Sequence, residues 1–508
     1  MGYIKGEPRE QSTLFPERIE DYVGKDNPVR FIDKYVDSLD LARLGFKHSV
    51  AKEMGRPAYH RGDLLRLYIY GYLNRIRSAR DLEKETIRNL EVMWLIRKLR
   101  PDFRTIANFR RDNGEALRNV FREFSVLCRR LDLFGKELVG IDGSKFQAVN
   151  SKDNNYSERK LNVMIQHYEE RISQYMKELE SAESDEQKET VLTEQELEQK
   201  IEELRERKEE KQKLLEQLKE SGQNEISVTD PDSRRLHAGD GSIVGYNVQM
   251  AVDSKHFLVV DFEVTNDKTD QHQLANMSMK AKEVLQIESL KVVADSGYYC
   301  SEEIKSCQEA GVEVYVEPVD KPPRPGLFSK DKFIYQADTD SYLCPANEHL
   351  RFRGEKIQEG RQIRWYETSA CKACSIKHLC TGQAKRNRRI TRWIHQDILE
   401  KLAKRMAANP QMRTLRKSMV EHPFGTIKRT LNHSYFLLKG FKKVTAEMSL
   451  IYLAYNIKRV LKILGTEYLL ELLVNSRLRL AFMLLSIIRI FFPQFQLPKE
   501  KCTQVLLF

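Results

Sequence analysis

Glu137-Leu-Val-Gly-Ile-Asp-Gly-Ser-Lys-Phe-Gln-Ala-Val149 is the stretch on which the reading of this 508-residue chain turns. It is a strand pattern broken by a glycine, with Asp142 at its centre. Downstream, Tyr246-Asn-Val-Gln-Met-Ala-Val-Asp253 and Phe257-Leu-Val-Val-Asp-Phe-Glu-Val264 repeat the strand pattern. A helix over 271–285 then leads to Lys291-Val-Val-Ala-Asp295, a buried-strand pattern that ends on an acid. A second helix over 301–310 and a strand over 312–316 follow. Three strands, a helix and a fourth strand predict an α/β core with mixed strand order.

Upstream, residues 1–134 read as helical. Val29, Phe31, Ile32, Tyr35, Val36 and Leu39 keep helical spacing, and the stretch from Arg61 to Ile76 is apolar enough to be a buried helix. Ser78 stands as an N-cap. Asp102, Thr105 and Asn108 precede a helix through Leu117, Val120, Phe121, Phe124 and Leu127. Short helices with surface arginines (Arg104, Arg110, Arg111) suit a DNA-binding helix-turn-helix-like module or a plain helical bundle.

Two segments interrupt the core. Residues 157–222 are dense in both charge signs, with a break near 181–185. Leu197, Ile201, Leu204, Leu215 and Leu218 fall at heptad positions, which predicts a helical hairpin. Residues 318–385 are Pro-rich and then cysteine-bearing. From Thr391 to Leu464 the pattern is helical, and 466–508 reads as an amphipathic helical tail.

The net charge of +11 is modest for this length, but its distribution is not. Between Lys385 and Lys443 stand 16 Lys+Arg and three acids, Asp397, Glu400 and Glu421. Such a stretch is the footprint of a polyanion binder or a solvated basic helix face. No window approaches the roughly 20 apolar residues of a spanning helix; the best, Leu480 to Ile488, is closed by Arg479 and Arg489. The N-terminus lacks the apolar core of a signal peptide, so a soluble, cytoplasmic protein with no membrane partner is expected.

Phosphodiester chemistry with divalent metals needs carboxylates converging at one sheet edge, and hard oxygen ligands suit Mg²⁺ or Mn²⁺. Asp142 and Asp295 fit that layout, and Glu421, on a later helix, is the candidate third acid. Lys428 and Arg429 follow it and Arg416 precedes it; with Lys145 they are the candidate DNA contacts. Asp253 is the best rival metal ligand, though a structural or substrate-orienting role is expected. Asp270 reads as a helix N-cap.

The segments Val139-Gly-Ile-Asp-Gly-Ser-Lys, Gly245-Tyr-Asn-Val-Gln-Met-Ala-Val-Asp, Val293-Ala-Asp-Ser-Gly-Tyr and Val420-Glu-His-Pro-Phe-Gly-Thr-Ile-Lys-Arg resemble the motifs of bacterial insertion-sequence DDE transposases. Tyr70-Gly-Tyr-Leu and Pro101-Asp-Phe-Arg-Thr-Ile-Ala-Asn-Phe-Arg resemble that family's N-terminal domain, and the likeness spans roughly residues 10–465. The resemblance implies a ribonuclease-H-like core over 135–465. It also implies a reaction in which water cuts double-stranded DNA at the element's terminal repeats and the freed 3′-OH attacks target DNA. By position, Asp142, Asp295 and Glu421 match the three acids, Lys428 the basic residue about two turns on, and Arg416 the upstream arginine. Where the family often has a tyrosine, eight residues before the glutamate, this chain has Arg413. Cutting and joining two ends implies a homodimer on DNA. A catalytically silent DNA-binding protein of the same fold, or a simple metal-dependent nuclease, is the alternative.

Cys344, Cys371, Cys374 and Cys380 fall in one 37-residue stretch. One tight Cys-x-x-Cys within a set of four suits a structural Zn²⁺, with His349 and His378 as substitutes. The other reading is four reduced thiols. Cys128, Cys300, Cys307 and Cys502 are scattered, which argues against a disulfide framework.

Overall fold

Capping chemistry sets the helix starts at the N-terminal end. Asn27 accepts a bond from Val29 N–H ahead of Pro28, whose fixed φ suits a first helical position, and α1 (Pro28–Asp37) begins there. In the computed structural model, described over residues 18–48, 58–184, 193–239, 241–318, 326–382 and 386–473, five more helices follow. They are α2 (Arg61–Leu73), α3 (Ala79–Arg88), α4 (Leu90–Leu95), α5 (Phe103–Asp112) and α6 (Gly114–Arg130). Ser78 caps α3, as its position predicts, and Asp102 caps α5. Thr105 and Asn108 lie within α5 instead of before a helix, and a break at Asn113 separates α5 from α6. Helix α2 is buried at every position but Arg61 and Leu73, which accounts for its apolar sequence.

The chain then enters β1 (Leu138–Gln147) and, after the charged insertion, β4 (Arg234–Ala238), β5 (Gly241–Asp253) and β6 (Val259–Thr265); the insertion carries β2 (Asn155–Ser157), α7 (Glu158–Ser184), α8 (Glu194–Ser221) and β3 (Glu225–Ser227). Helix α9 (Leu274–Leu285), β7 (Leu290–Val293), α10 (Ser301–Glu309) and β8 (Val312–Tyr315) complete the sheet. Its order is β4-β5-β1-β7-β8, with β6 pairing β5 further along the same edge as β4. β1 runs antiparallel to β5 and parallel to β7, and β7 is parallel to β8. The mixed α/β core is therefore as expected, and α9 and α10 supply the crossovers that parallel strands require.

Helices α7 and α8 form the expected hairpin. Leu161, Leu197, Ile201 and Leu218 are buried, and Lys208 reaches Glu169 on the facing helix at 2.9 Å. The cysteine-bearing segment is a sheet of its own, with order β13-β12-β11-β10-β9 and every neighbour antiparallel. Its strands are β9 (Ile334–Gln336), β10 (Ser341–Leu343), β11 (His349–Gln358), β12 (Arg361–Glu367) and β13 (Ile390–Trp393). The expectation of helix from Thr391 is thus corrected: Thr391 sits in β13, pairing with Trp365. Helices resume with α11 (Gln396–Ala408) and α12 (Gln411–Gly425), a π turn over Thr426–Thr430, and α13 (Phe441–Leu464).

One hydrophobic core runs from Val23 to Leu473 and takes in α1–α6, strands β1 and β5–β8 of the six-stranded sheet, and α13. Position 134 marks the change from helix to strand, not a break in packing. Helix α13 is buried along most of its length, and its Asn456 closes on Val259 with both amide groups, at 2.9 and 2.8 Å. Most of the tail, including Leu480 to Ile488, lies outside the described residues, as does Cys502. Among the described residues no helix is long and apolar enough to cross a membrane.

Candidate active site

Helix α12 lies close on β1 because residue 140 is glycine. A Cβ there would stand 3.0 Å from Val420 Cγ1 and 3.2 Å from Met419 Cε. That approach sets Arg416 Nη1 3.6 Å from Asp142 Oδ2. The parallel register ends with Gly140 opposite Val293; Asp142 lies two residues on in β1 and Asp295 two residues past the end of β7, near enough for its charge to act on Asp142. Asp295 caps the short turn Ser296–Tyr298, accepting from Gly297 N–H at 2.8 Å. Burial pushes the Asp142 carboxyl up to about 7. Arg416 and the Gly143 N–H, at 2.9 Å, pull it back, while the charges of Asp295 and Asp270 raise it further.

Two of the three expected acids are therefore brought together. Glu421 lies exposed on α12, next to the buried Val420. Among the described residues no group of three His, Cys, Asp or Glu side chains stands at metal-ligand spacing.

The candidate DNA contacts divide in an unexpected way. Lys428 donates to Ser144 Oγ at 2.6 Å and Lys145 O at 2.9 Å, so it ties the π turn to β1. Burial and the neighbouring Lys145 hold its ammonium below the usual range. Lys145 pairs with Asp270 Oδ2 at 3.3 Å, and Arg416 faces Asp142. Of the four cations, Arg429 is the exposed one. Arg413, where the tyrosine was expected, pairs with Glu317 after β8.

Asp253 is fully buried and takes the N–H groups of Gly135, Lys136 and Lys255 at 2.8–3.1 Å, a structural role as expected. Asp270 is not the cap of α9; Gln273 holds that place. Its carboxylate instead accepts from Asn247 Nδ2 at 2.7 Å, Gln249 Nε2 at 2.6 Å and Lys145. Sequence reasoning missed it because all three partners are non-local. The one available signal was the pair of amides at alternate positions, 247 and 249, inside an otherwise apolar strand.

The four cysteines line one small cavity of about 20 Å³ in the lobe, with Phe333, Leu350 and Arg388 among its walls. All four are free thiols. Burial and the three neighbouring thiols push the Cys380 thiol up.

Two segments of the chain match known families. Residues 17–112 match the family described as Transposase domain (DUF772), and residues 343–461 match the Transposase DDE domain. Both matches are to transposase domains, one in each half of the chain, and the chain is a transposase, an enzyme of DNA transposition. The DDE-domain match takes in β11–β13 with the four cysteines, Glu421 and most of α13, whereas Asp142 and Asp295 precede it. A cryo-EM structure of the piggyBac transposase synaptic complex with hairpin DNA is similar over 86% of this chain and 72% of that one, at 11% identity and a TM-score of 0.29, which is too loose to carry an argument. No curated protein matches the chain.

Proposed function

We propose that this transposase cuts DNA at the ends of its element at Asp142 and Asp295, with Glu421 as the third acid, and transfers the freed 3′-OH into target DNA. The observation that supports the reading is the approach of two carboxylates, Asp142 within β1 and Asp295 in the turn that follows the neighbouring parallel strand β7. The strand order β6-β5-β1-β7-β8, with only β5 antiparallel to its neighbours, supports a ribonuclease-H-like core. Water hydrolyses one P–O bond at each end; the 3′-OH then attacks a target phosphodiester, forming one P–O bond as another breaks.

Two facing carboxylates suit a divalent cation, which relieves their mutual repulsion, and all-oxygen donors favour Mg²⁺ or Mn²⁺. When bound there it supplies a Lewis acid to the scissile phosphate. The chain's own groups do the rest. Arg416 offsets part of the carboxylate charge, Lys428 pins α12 and the π turn to β1, and exposed Arg429 meets the DNA backbone. Joining two ends calls for two copies of the chain on DNA.

In this reading the four thiols, which share one cavity but do not stand at metal-ligand spacing, draw together on a structural Zn²⁺. Crowded thiols resist ionisation until a cation stands among them, which is the situation of Cys380. Zinc content of the purified protein tests this: about one ion per chain is expected, and none in Cys371→Ser/Cys374→Ser.

The deciding experiment is cleavage of DNA carrying the element's ends with Mg²⁺ or Mn²⁺, comparing wild type with Asp142→Asn, Asp295→Asn and Glu421→Gln. Loss of cutting by about 10³-fold or more in each variant, with DNA binding kept, is expected. Cutting that survives Glu421→Gln removes that residue from the site. A wild type that binds the ends and never cuts them leaves a binding-only protein.

A further inference from the structure

Successive strand residues face opposite sides of a sheet. Asp142 and Ser144 look toward α12 and the π turn that follows it, where they meet Arg416 and Lys428 respectively. Gly143 and Lys145 look toward the segment that precedes α9, where Asp270 waits. We propose that Asp270 is a positioning residue of the cleavage site: it holds Lys145 on one side and, through Gln249 and Tyr298, fixes the turn that carries Asp295. The inference rests on the reading above, in which Asp142 and Asp295 do the cutting.

The geometry leaves Asp270 little freedom. Asn247 and Gln249, both fully buried on β5, direct their amide N–H groups to one of its oxygens, and Lys145 takes the other. A buried amide donor left without an acceptor is costly, so the three donors demand a carboxylate. Gln249 is oriented by this bond, which leaves its Oε1 to accept the hydroxyl of buried Tyr298. Tyr298 closes the short turn that Asp295 caps. The network therefore passes from Asp270 through one glutamine to the backbone that aims the second acid.

The neighbour of the first acid is shaped to the same network. A Cβ on Gly143 would lie 2.5 Å from Gln249 Nε2 and 2.7 Å from Asp270 Oδ1. Asp270 and Gln249 thus occupy the space that a side chain beside Asp142 would take. An amide at 270 has one acceptor oxygen where the carboxylate has two; turned to the Lys145 ammonium, the stronger donor, it sets its NH₂ against Asn247 and Gln249, donor against donor, and releases Gln249.

The test is cleavage of end-bearing DNA by wild type, Asp270→Asn, Tyr298→Phe and the double variant, each followed against Mg²⁺ concentration. Asp270→Asn is expected to cut about 10- to 100-fold more slowly, the cost usual for a group that orients metal-binding residues, and to need more Mg²⁺ for half-maximal rate. Tyr298→Phe should move both quantities in the same direction, and the double variant should be no worse than Asp270→Asn alone, since both act through Gln249. A residue that only stabilised the fold would lower the melting temperature without moving the Mg²⁺ midpoint. Wild-type rate and midpoint in Asp270→Asn overturn the proposal, as does a double variant whose loss is the product of the single ones. If Asp270→Asn does not fold, an unchanged midpoint in Tyr298→Phe overturns it. A wild type that does not cut sinks the underlying reading instead.

Discussion

Around β1 the protein buries Asn247, Gln249, Asp253 and Asp261 within a core that extends from Val23 to Leu473. The lobe of β9–β13 rests on six buried residues, Phe333, Tyr342, Leu350, Tyr366, Cys380 and Ile390, and one of these is a thiol. A large apolar core can carry charged and amide groups, because the loss from each is small beside the area buried, provided each finds partners. A core of six side chains has no such reserve and calls for a covalent or metal staple. The two sheets are adjacent in sequence but held by different physics, and the experiments below pull on each in turn.

The largest expected effect lies in the shared core. Glu447 on α13 is fully buried, accepts from Leu437 and Leu438 N–H, and faces Arg77 at 3.6 Å. Burial pushes its carboxyl up, and Arg110 and Arg77 hold it down. Glu447→Leu leaves both guanidinium groups without their counter-charge and should cost about 3–5 kcal/mol, read from the urea midpoint. Because α13 packs on both α2 and α6, helices and sheet should unfold in one transition. Two transitions would show that the N-terminal helices have a core of their own.

The lobe should respond locally. In Cys371→Ser/Cys374→Ser, or in wild type treated with a chelator, protease is expected to cut within 326–393 while the main unfolding transition stays in place. A lobe that resists protease after chelation would mean that its aromatic cluster suffices and the thiols are passive.

This contrast also explains what could be read from the sequence. Strands β1, β5, β6, β7 and β8 announce themselves because each carries several buried apolar residues within a short span. β11 does not, since Arg351-Phe-Arg-Gly-Glu-Lys-Ile-Gln358 is almost wholly exposed and offers no apolar face to detect. Asp142 and Asp295 were legible from their places at strand centre and strand end. Asp270 was not: next to a helix it looks like a cap, and only the fold brings Asn247, Gln249 and Lys145 to it. Lys428 and Lys145 look like free cations for the same reason. Charge counts cannot tell a cation aimed at solvent from one bonded to its own strand.

A smaller effect should appear in the pH dependence of the shared core. His433 is fully buried against Tyr72, and burial, with Arg77 nearby, lowers it to about 4. The unfolded chain takes up that proton near pH 6.5 while the folded one does not, so the contribution is complete above pH 6.5. It declines as pH falls from 6.5 to 4, by at most about 1.4 kcal/mol per unit. Asp142, raised to about 7, works in the opposite sense over much of this range. The quantity to measure is therefore the difference in unfolding free energy between wild type and His433→Gln at pH 4.5 and 7. A difference independent of pH would mean that His433 is not buried neutral.

The smallest effect separates two arginines one turn apart on α12. Arg413 pairs with Glu317 at the surface, and Arg416 stands half-buried against Asp142. An exposed ion pair is worth about 0–1 kcal/mol and is screened by salt, so Arg413→Ala should change stability by less than about 1 kcal/mol and leave the cleavage rate within about twofold. Arg413 also stands where the resemblance places a tyrosine, so Arg413→Tyr asks whether that position takes part in any step. Cleavage unaltered by both substitutions, beside a clear loss in Arg416→Ala, would confine the working surface of α12 to the face that meets β1. A loss in Arg413→Ala as large as that in Arg416→Ala would extend it to the exposed face, where the helix meets the DNA.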